Sequence, residues 1–105
     1  ETAAPSKLMI HADPEIADLI PKFLDNRMKD IEALREALER GDFETIRTLG
    51  HMMKGAGGGY GFLGITEIGK MLEESARAGN AQDISRGIEA LSAYMNSVEV
   101  VYDEP

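Results

Sequence analysis

Residues 48–64 read TLGHMMKGAGGGYGFLG. A histidine and a lysine stand three positions apart, and five of the seven residues after Lys54 are glycine. Each glycine inside a helix costs about 0.8–1 kcal/mol relative to alanine, so a helix through this stretch needs a reason for keeping them. The reason can be a helix end, helix packing, or room for a second molecule. On the upstream side the pattern is helical. Asp42 stands as an N-cap with Thr45 three positions on, in place of the usual Glu or Gln. Phe43, Ile46, Leu49, Gly50, Met53 and Gly57 share one sector of a 3.6-residue wheel, which is the expected buried face. Gly58 to Gly61 read as the turn that ends this helix.

The same period extends outward in both directions. Asp13-Pro14 supplies an N-cap and a proline at the first helical position, and Ile16, Leu19, Ile20, Phe23, Leu24, Met28, Ile31, Leu34 and Leu38 follow at helix spacing. Pro21 divides this run into a short helix near 14–19 and a long one over about 21–40, closed by Gly41 as C-cap. Downstream, Ile65, Ile68, Gly69, Leu72 and Ala76 mark a third long helix that stops at Gly79-Asn80. Ile84, Ile88, Leu91, Met95, Val98 and Tyr102 mark a fourth over about 82–102. The sequence shows no alternating strand pattern, repeat or low-complexity tract. Residues 1–12 lack a sustained period and are expected to be a disordered arm, leaving 13–105 as a single domain. The fold class is therefore all-α: an antiparallel four-helix bundle with a short N-terminal helix capping one end. The methionines and phenylalanines fall mostly on or beside the apolar stripes and read as core filler.

At 105 residues the chain is one domain with room for a real core. It has no cysteine, which excludes disulfides, thiolate nucleophiles and zinc-thiolate sites. The formal net charge of −8 argues against nucleic acid and against anionic membrane surfaces as partners, and favours a protein partner. Apolar runs are far shorter than the roughly 20 residues that span a bilayer. The expected location is the cytoplasm, either free or as a module of a membrane-anchored hybrid sensor kinase. No feature asks for an oligomer, so a monomer is expected.

With the buried face set at Ile46, His51 lands roughly 140° away and faces water, with Gly55 and Gly58 within about 40° of it. Arg47 and Lys54 are its neighbours on the same surface at i−4 and i+3. The patch combines an exposed imidazole, local positive charge and bare backbone. General-base catalysis would need a pocket and an orienting carboxylate, which a convex helix surface does not supply. A metal site has only His11 as a second histidine, and no zinc-type spacing is present. A P-loop is excluded because Lys54 precedes the glycines and no strand feeds them. Nucleophilic attack by the imidazole on a phosphoryl group fits better, with Lys54 supplying charge and a partner supplying the divalent metal and carboxylates.

The segment HMMKGAGGGYG resembles the motif of histidine-containing phosphotransfer domains, with His51, Met53, Lys54, Gly55, Ala56, Gly57 and Gly61 filling its positions in order. The likeness extends back through ALERGDFETIRTLG and forward through GFLGITEIGKMLEESARAG, covering about residues 21–80. It implies that His51 is the phosphoacceptor, exchanging a phosphoryl group with an aspartate of a response-regulator receiver domain that brings Mg²⁺. It also implies that Lys54 stabilises the phosphoryl oxygens and that Gly55 keeps the approach open. The chain would then be a phosphoryl carrier without kinase activity, holding no cofactor or metal of its own.

Three positions depart from the family pattern. Glu73 stands where several members carry a glutamine, and at about 80° from Ile65 on its wheel it flanks the core, in reach of His51. A carboxylate there can orient the imidazole through one N–H or repel an incoming phosphoryl group. Gly50 and Ala56 replace a common alanine and serine, small for small. KGAGGGYGF is also similar to the phosphoacceptor domain of chemotaxis histidine kinases, whose donor is a kinase catalytic domain. A helical interaction module that is never phosphorylated is the alternative from a different class.

Overall fold

The computed structural model describes residues 8–102. Four helices carry the chain: α1 (Ile20–Arg40), α2 (Phe43–Gly59), α3 (Leu63–Arg77) and α4 (Ala81–Ser97). Each boundary has a local cause. The Asp13 carboxylate accepts the Glu15 N–H and opens a single 3₁₀ turn, Pro14–Ile16, which is the short N-terminal helix in reduced form. Pro21 lies in the first turn of α1, where a missing N–H leaves no hydrogen bond unmade. Gly41 ends α1 in the left-handed region, at φ 68°. Asp42 then accepts both the backbone N–H and the hydroxyl of Thr45, at 3.1 and 2.6 Å, so Thr45 completes the cap from its own side chain. Asn80 caps α4 by accepting the Asp83 N–H at 3.0 Å. The connections are two or three residues long, which forces successive helices to run antiparallel.

The core is one cluster through the bundle, with Ile20, Leu34, Ile46, Met53, Phe62, Ile65, Leu72, Ile84 and Leu91 fully buried. Phe23 of α1 stacks on Tyr60 and Phe62, with ring centroids 4.4 and 5.4 Å apart, and so ties α1 to the α2–α3 turn. Of the six methionines, Met53 alone is fully buried, while Met9, Met28 and Met52 are exposed, which corrects their reading as core filler.

Two strands replace structure expected otherwise. β1 (Leu8–Ala12) pairs in parallel with β2 (Val98–Tyr102), in the register Leu8↔Val98 to Ala12↔Tyr102. Residues 8–12 of the expected arm are therefore ordered as a strand, residues 1–7 lie outside the described residues, and α4 ends at Ser97 and not near 102. The pattern is a short period of two: Ile10 and Ala12 pack against the core while Met9 and His11 face out, and Val98 and Val100 pack inward with Glu99 exposed. Val98 satisfies both periods, since it also continues the stripe of α4. β-Branched valines favour the extended choice, and Val98 adopts it at φ −75°, ψ 137°.

α2 also runs further than its glycines suggest. It stays helical through Gly59, and only at Gly61, φ 86°, does the backbone enter the left-handed region. The interior glycines do different work. A methyl group at Gly50 would lie 2.7 Å from the Glu73 nitrogen and the Gly69 oxygen. One at Gly69 would lie 2.6 Å from the Lys54 nitrogen, and one at Gly57 would lie 2.7 Å from the Thr66 nitrogen. α2 and α3 thus touch backbone to backbone along a glycine seam. Gly55 and Gly59 face open space.

Gly50→Ala should therefore lower stability by about 1–3 kcal/mol, because backbone cannot yield as a side-chain tip can. Gly55→Ala should raise it by up to about 1 kcal/mol through helix propensity alone. Urea denaturation of both variants checks this, and equal shifts would show that the two helices are not in backbone contact at Gly50.

Candidate functional site

The seam decides what lies under His51. Because Gly50 admits the backbone of Glu73, the side chain of Glu73 rises from α3 directly beneath the outer face of α2. Its carboxylate is 2 % exposed, while the His51 side chain above it is 64 % exposed. Three donors converge on the two oxygens. Lys54 Nζ lies 2.8 Å from Oε1. His51 Nδ1 and Arg77 Nη2 each lie 3.1 Å from Oε2. A buried carboxylate with this many charge-assisted partners is satisfied and fixed in position.

The hydrogen bond from Lys54 is the main reason the Glu73 carboxyl is held below its ordinary range; burial pushes the other way, and His51 and the charges of Lys54 and Arg77 add to the lowering. Glu73 is thus ionised at neutral pH and can only accept. The contact with His51 therefore requires a proton on Nδ1, which donates to Oε2. In the neutral ring this leaves the lone pair on Nε2, the nitrogen away from Glu73. Orientation and tautomer are set by one buried group.

Gly55 and Gly59 leave bare helix beside the imidazole, and Met52 stands exposed next to it. Gly58 is exposed but borders α3, where a methyl group would meet the Thr66 hydroxyl at 3.7 Å. Arg47, expected beside His51, is held by Glu44 at 2.6 Å and reaches the site only through the field it shares with Glu73. The second cation in contact with Glu73 is Arg77, which the sequence reading missed. Its signal was present as a Glu-x-x-x-Arg pair at i and i+4 on α3.

His51 and Lys54 stand on the outer face of α2; a shallow cavity between α3 and α4, lined by Met71, Ser75, Asn80 and Arg86 among others, includes neither. Among the described residues, no group of three or more His, Cys, Asp or Glu comes together as a metal site. None of the described helices is long and apolar enough to cross a membrane.

The site thus joins an imidazole oriented by a buried carboxylate to a lysine one turn on along the same helix. The family model described as Hpt domain matches residues 18–100. The chain belongs to the Hpt domain family, whose members carry phosphoryl groups on histidine in phosphorelays and interact with response regulators and kinases. No curated protein and no solved structure matches it significantly.

The lowered Glu73 carboxyl has a measurable consequence. Its contribution to stability is present above the unfolded value, near 4.5, and is lost as pH falls through the lower folded value. The stability gap between the wild-type chain and Glu73→Gln should be wide above pH 4.5 and close below it, since other carboxylates such as Asp42 are common to both chains. Denaturant titrations across that range measure it, and a gap independent of pH would show that the folded carboxyl is not held low.

Proposed function

We propose that His51 is the phosphoacceptor and that it exchanges its phosphoryl group with an aspartate of a response-regulator receiver domain. The observation that carries this reading is the buried Glu73 carboxylate on Nδ1 of an otherwise exposed imidazole. In the forward step the Nε2 lone pair attacks phosphorus in line. The N–P bond forms as the P–O bond to the partner's aspartate breaks, and the bonding pair leaves on the aspartate carboxylate. No proton moves, so the ring emerges carrying both the phosphoryl group on Nε2 and the proton on Nδ1. That ring is a cation facing the ionised Glu73, which stabilises the positive charge as it develops. The reverse step uses the same contacts.

Lys54 and His51 share the Glu73 carboxylate from the same helix. Lys54 can shift from Oε1 of Glu73 to the phosphoryl oxygens as they arrive. The receiver supplies Mg²⁺ and most of the catalytic groups, so this chain needs neither metal ligands nor a pocket. The bare backbone at Gly55 and Gly59 lets that partner come close, and the chain acts as a carrier without kinase activity. This assignment suits a cytoplasmic module, whether free or part of a longer sensor.

Incubation with a phosphorylated receiver and Mg²⁺ should give an acid-labile, base-stable phosphoryl group on the wild-type chain and none on His51→Gln. The variant should stay within about 1 kcal/mol of the wild type in stability, because an exposed ring contributes little packing. Lys54→Ala should slow transfer while remaining folded. Labelling only by a chemotaxis-type kinase domain would move the donor assignment, and no labelling by either would favour the interaction module.

A further inference from the structure

We propose that Arg77 is a positioning residue for phosphoryl transfer: by holding Oε2 of Glu73 together with His51, it keeps the carboxylate in place when Lys54 leaves Oε1 for the phosphoryl group. The inference rests on the proposed role of His51 and goes beyond it, assigning work to a residue on the far helix that touches neither the nucleophile nor the substrate.

The argument starts from a conflict over one ammonium group. At rest Lys54 Nζ is 2.8 Å from Glu73 Oε1, and in transfer the same group is needed by the phosphoryl oxygens. If Lys54 were the only cation on Glu73, a carboxylate that is 2 % exposed would lose its counter-charge each time Lys54 moved to the arriving phosphoryl group, before the N–P bond gives the ring a charge of its own. Such a group either takes up a proton or repels the arriving anion. A protonated Glu73 could donate from Oε2, and the requirement that Nδ1 carry the proton would lapse. Neither outcome suits a nucleophile that must present Nε2.

Arg77 removes the conflict. Its guanidinium is always charged, it lies 3.1 Å from Oε2, and it comes from the same helix as Glu73, one turn on. It therefore stays with the carboxylate whatever happens at α2. The groups facing Glu73 are His51 and Lys54 from α2, with Arg47 acting at longer range, and Arg77 from α3. With Lys54 and Arg77 present, the cluster carries one net positive charge around a neutral imidazole. With Lys54 on the arriving phosphoryl group and the ring not yet charged, Arg77 still balances Glu73. The competing account is that Arg77 is an ordinary surface i,i+4 pair in the last turn of a helix, and its side chain is 62 % exposed. An ordinary pair would leave the imidazole and the chemistry untouched.

The test compares the wild type, Arg77→Gln and Arg77→Lys, each alone and with Lys54→Ala, after melting curves establish that they fold. One arm reads the protonated ring nitrogen of His51 by ¹⁵N NMR in the unphosphorylated chain at neutral pH. The other reads the rate of phosphoryl uptake from a phosphorylated receiver with Mg²⁺. Arg77→Gln should slow uptake about tenfold, the effect of losing one charge-assisted hydrogen bond, and Arg77→Lys should recover most of it. The Nδ1–H form should weaken in Arg77→Gln and be lost when Lys54→Ala is added. Wild-type uptake in Arg77→Gln, or an Nδ1–H signal unchanged in both backgrounds, would overturn the inference while leaving the role of His51 intact. Failure of the wild-type chain itself to take up phosphate would overturn the functional reading and this inference with it.

Discussion

The contact between the backbones of α2 and α3 is the constraint on which the rest depends. Gly50 lies against the Glu73 and Gly69 backbone, and Gly69 lies against the Lys54 nitrogen, so neither helix can carry a side chain where they cross. Ordinary helix pairs sit 8–10 Å apart between axes because side chains fill the gap. Removing those side chains lets Glu73 reach under α2 and leave its carboxylate at the underside of the outer face, in contact with His51 and Lys54 at once. A wider separation would leave the same carboxylate either short of the imidazole or exposed to water. The weak helix propensity of the glycines is thus balanced by a packing arrangement that only glycine permits.

Charge is organised around that contact in a way the overall composition hides. The chain carries −8, yet Lys54 and Arg77 outweigh the one carboxylate between them. A phosphoryl group on a receiver aspartate is a dianion embedded among carboxylates, and a local positive spot is what such a group meets favourably. The acidic remainder of the surface is distributed along the helices, and some of it is paired at i,i+3 or i,i+4, as in Arg27–Asp30 and Arg86–Asp83.

Much of this was legible in sequence because helical period and capping are local properties. The boundaries at Gly41, Asp42 and Asn80 follow from residues within a turn of the event, and the outward direction of His51 follows from its angle to Ile46. The strands were not legible because five residues hold barely two periods of alternation, and because Val98 continues the stripe of α4 as well as it begins β2. Gly50 shows a different limit. A wheel gives the face of a residue but not the distance to the helix opposite, so Gly50 in place of the family's alanine read as a small-for-small change, although a methyl group there would lie 2.7 Å from the Glu73 nitrogen. Arg77 escaped for a related reason. Its i,i+4 partner was visible, but that the shared carboxylate is buried beneath His51 was not, because burial is a tertiary fact.

The persistence of α2 through Gly59 bears on how the site can be both open and rigid. A phosphoacceptor on a glycine-rich loop would be accessible, but its imidazole would sample many directions, and the ordering cost would fall on every docking event. Here the glycines that face open space, Gly55 and Gly59, lie on the same continuous helix as the glycines that lock α2 to α3, Gly50 and Gly57. The two sets face opposite sides. Access is obtained by leaving out side chains on the outer face, and rigidity by leaving them out on the inner one. With α2 locked to α3 in this way, the hydrogen bond from Glu73 holds the ring of His51 directly, so its orientation is set before any partner arrives.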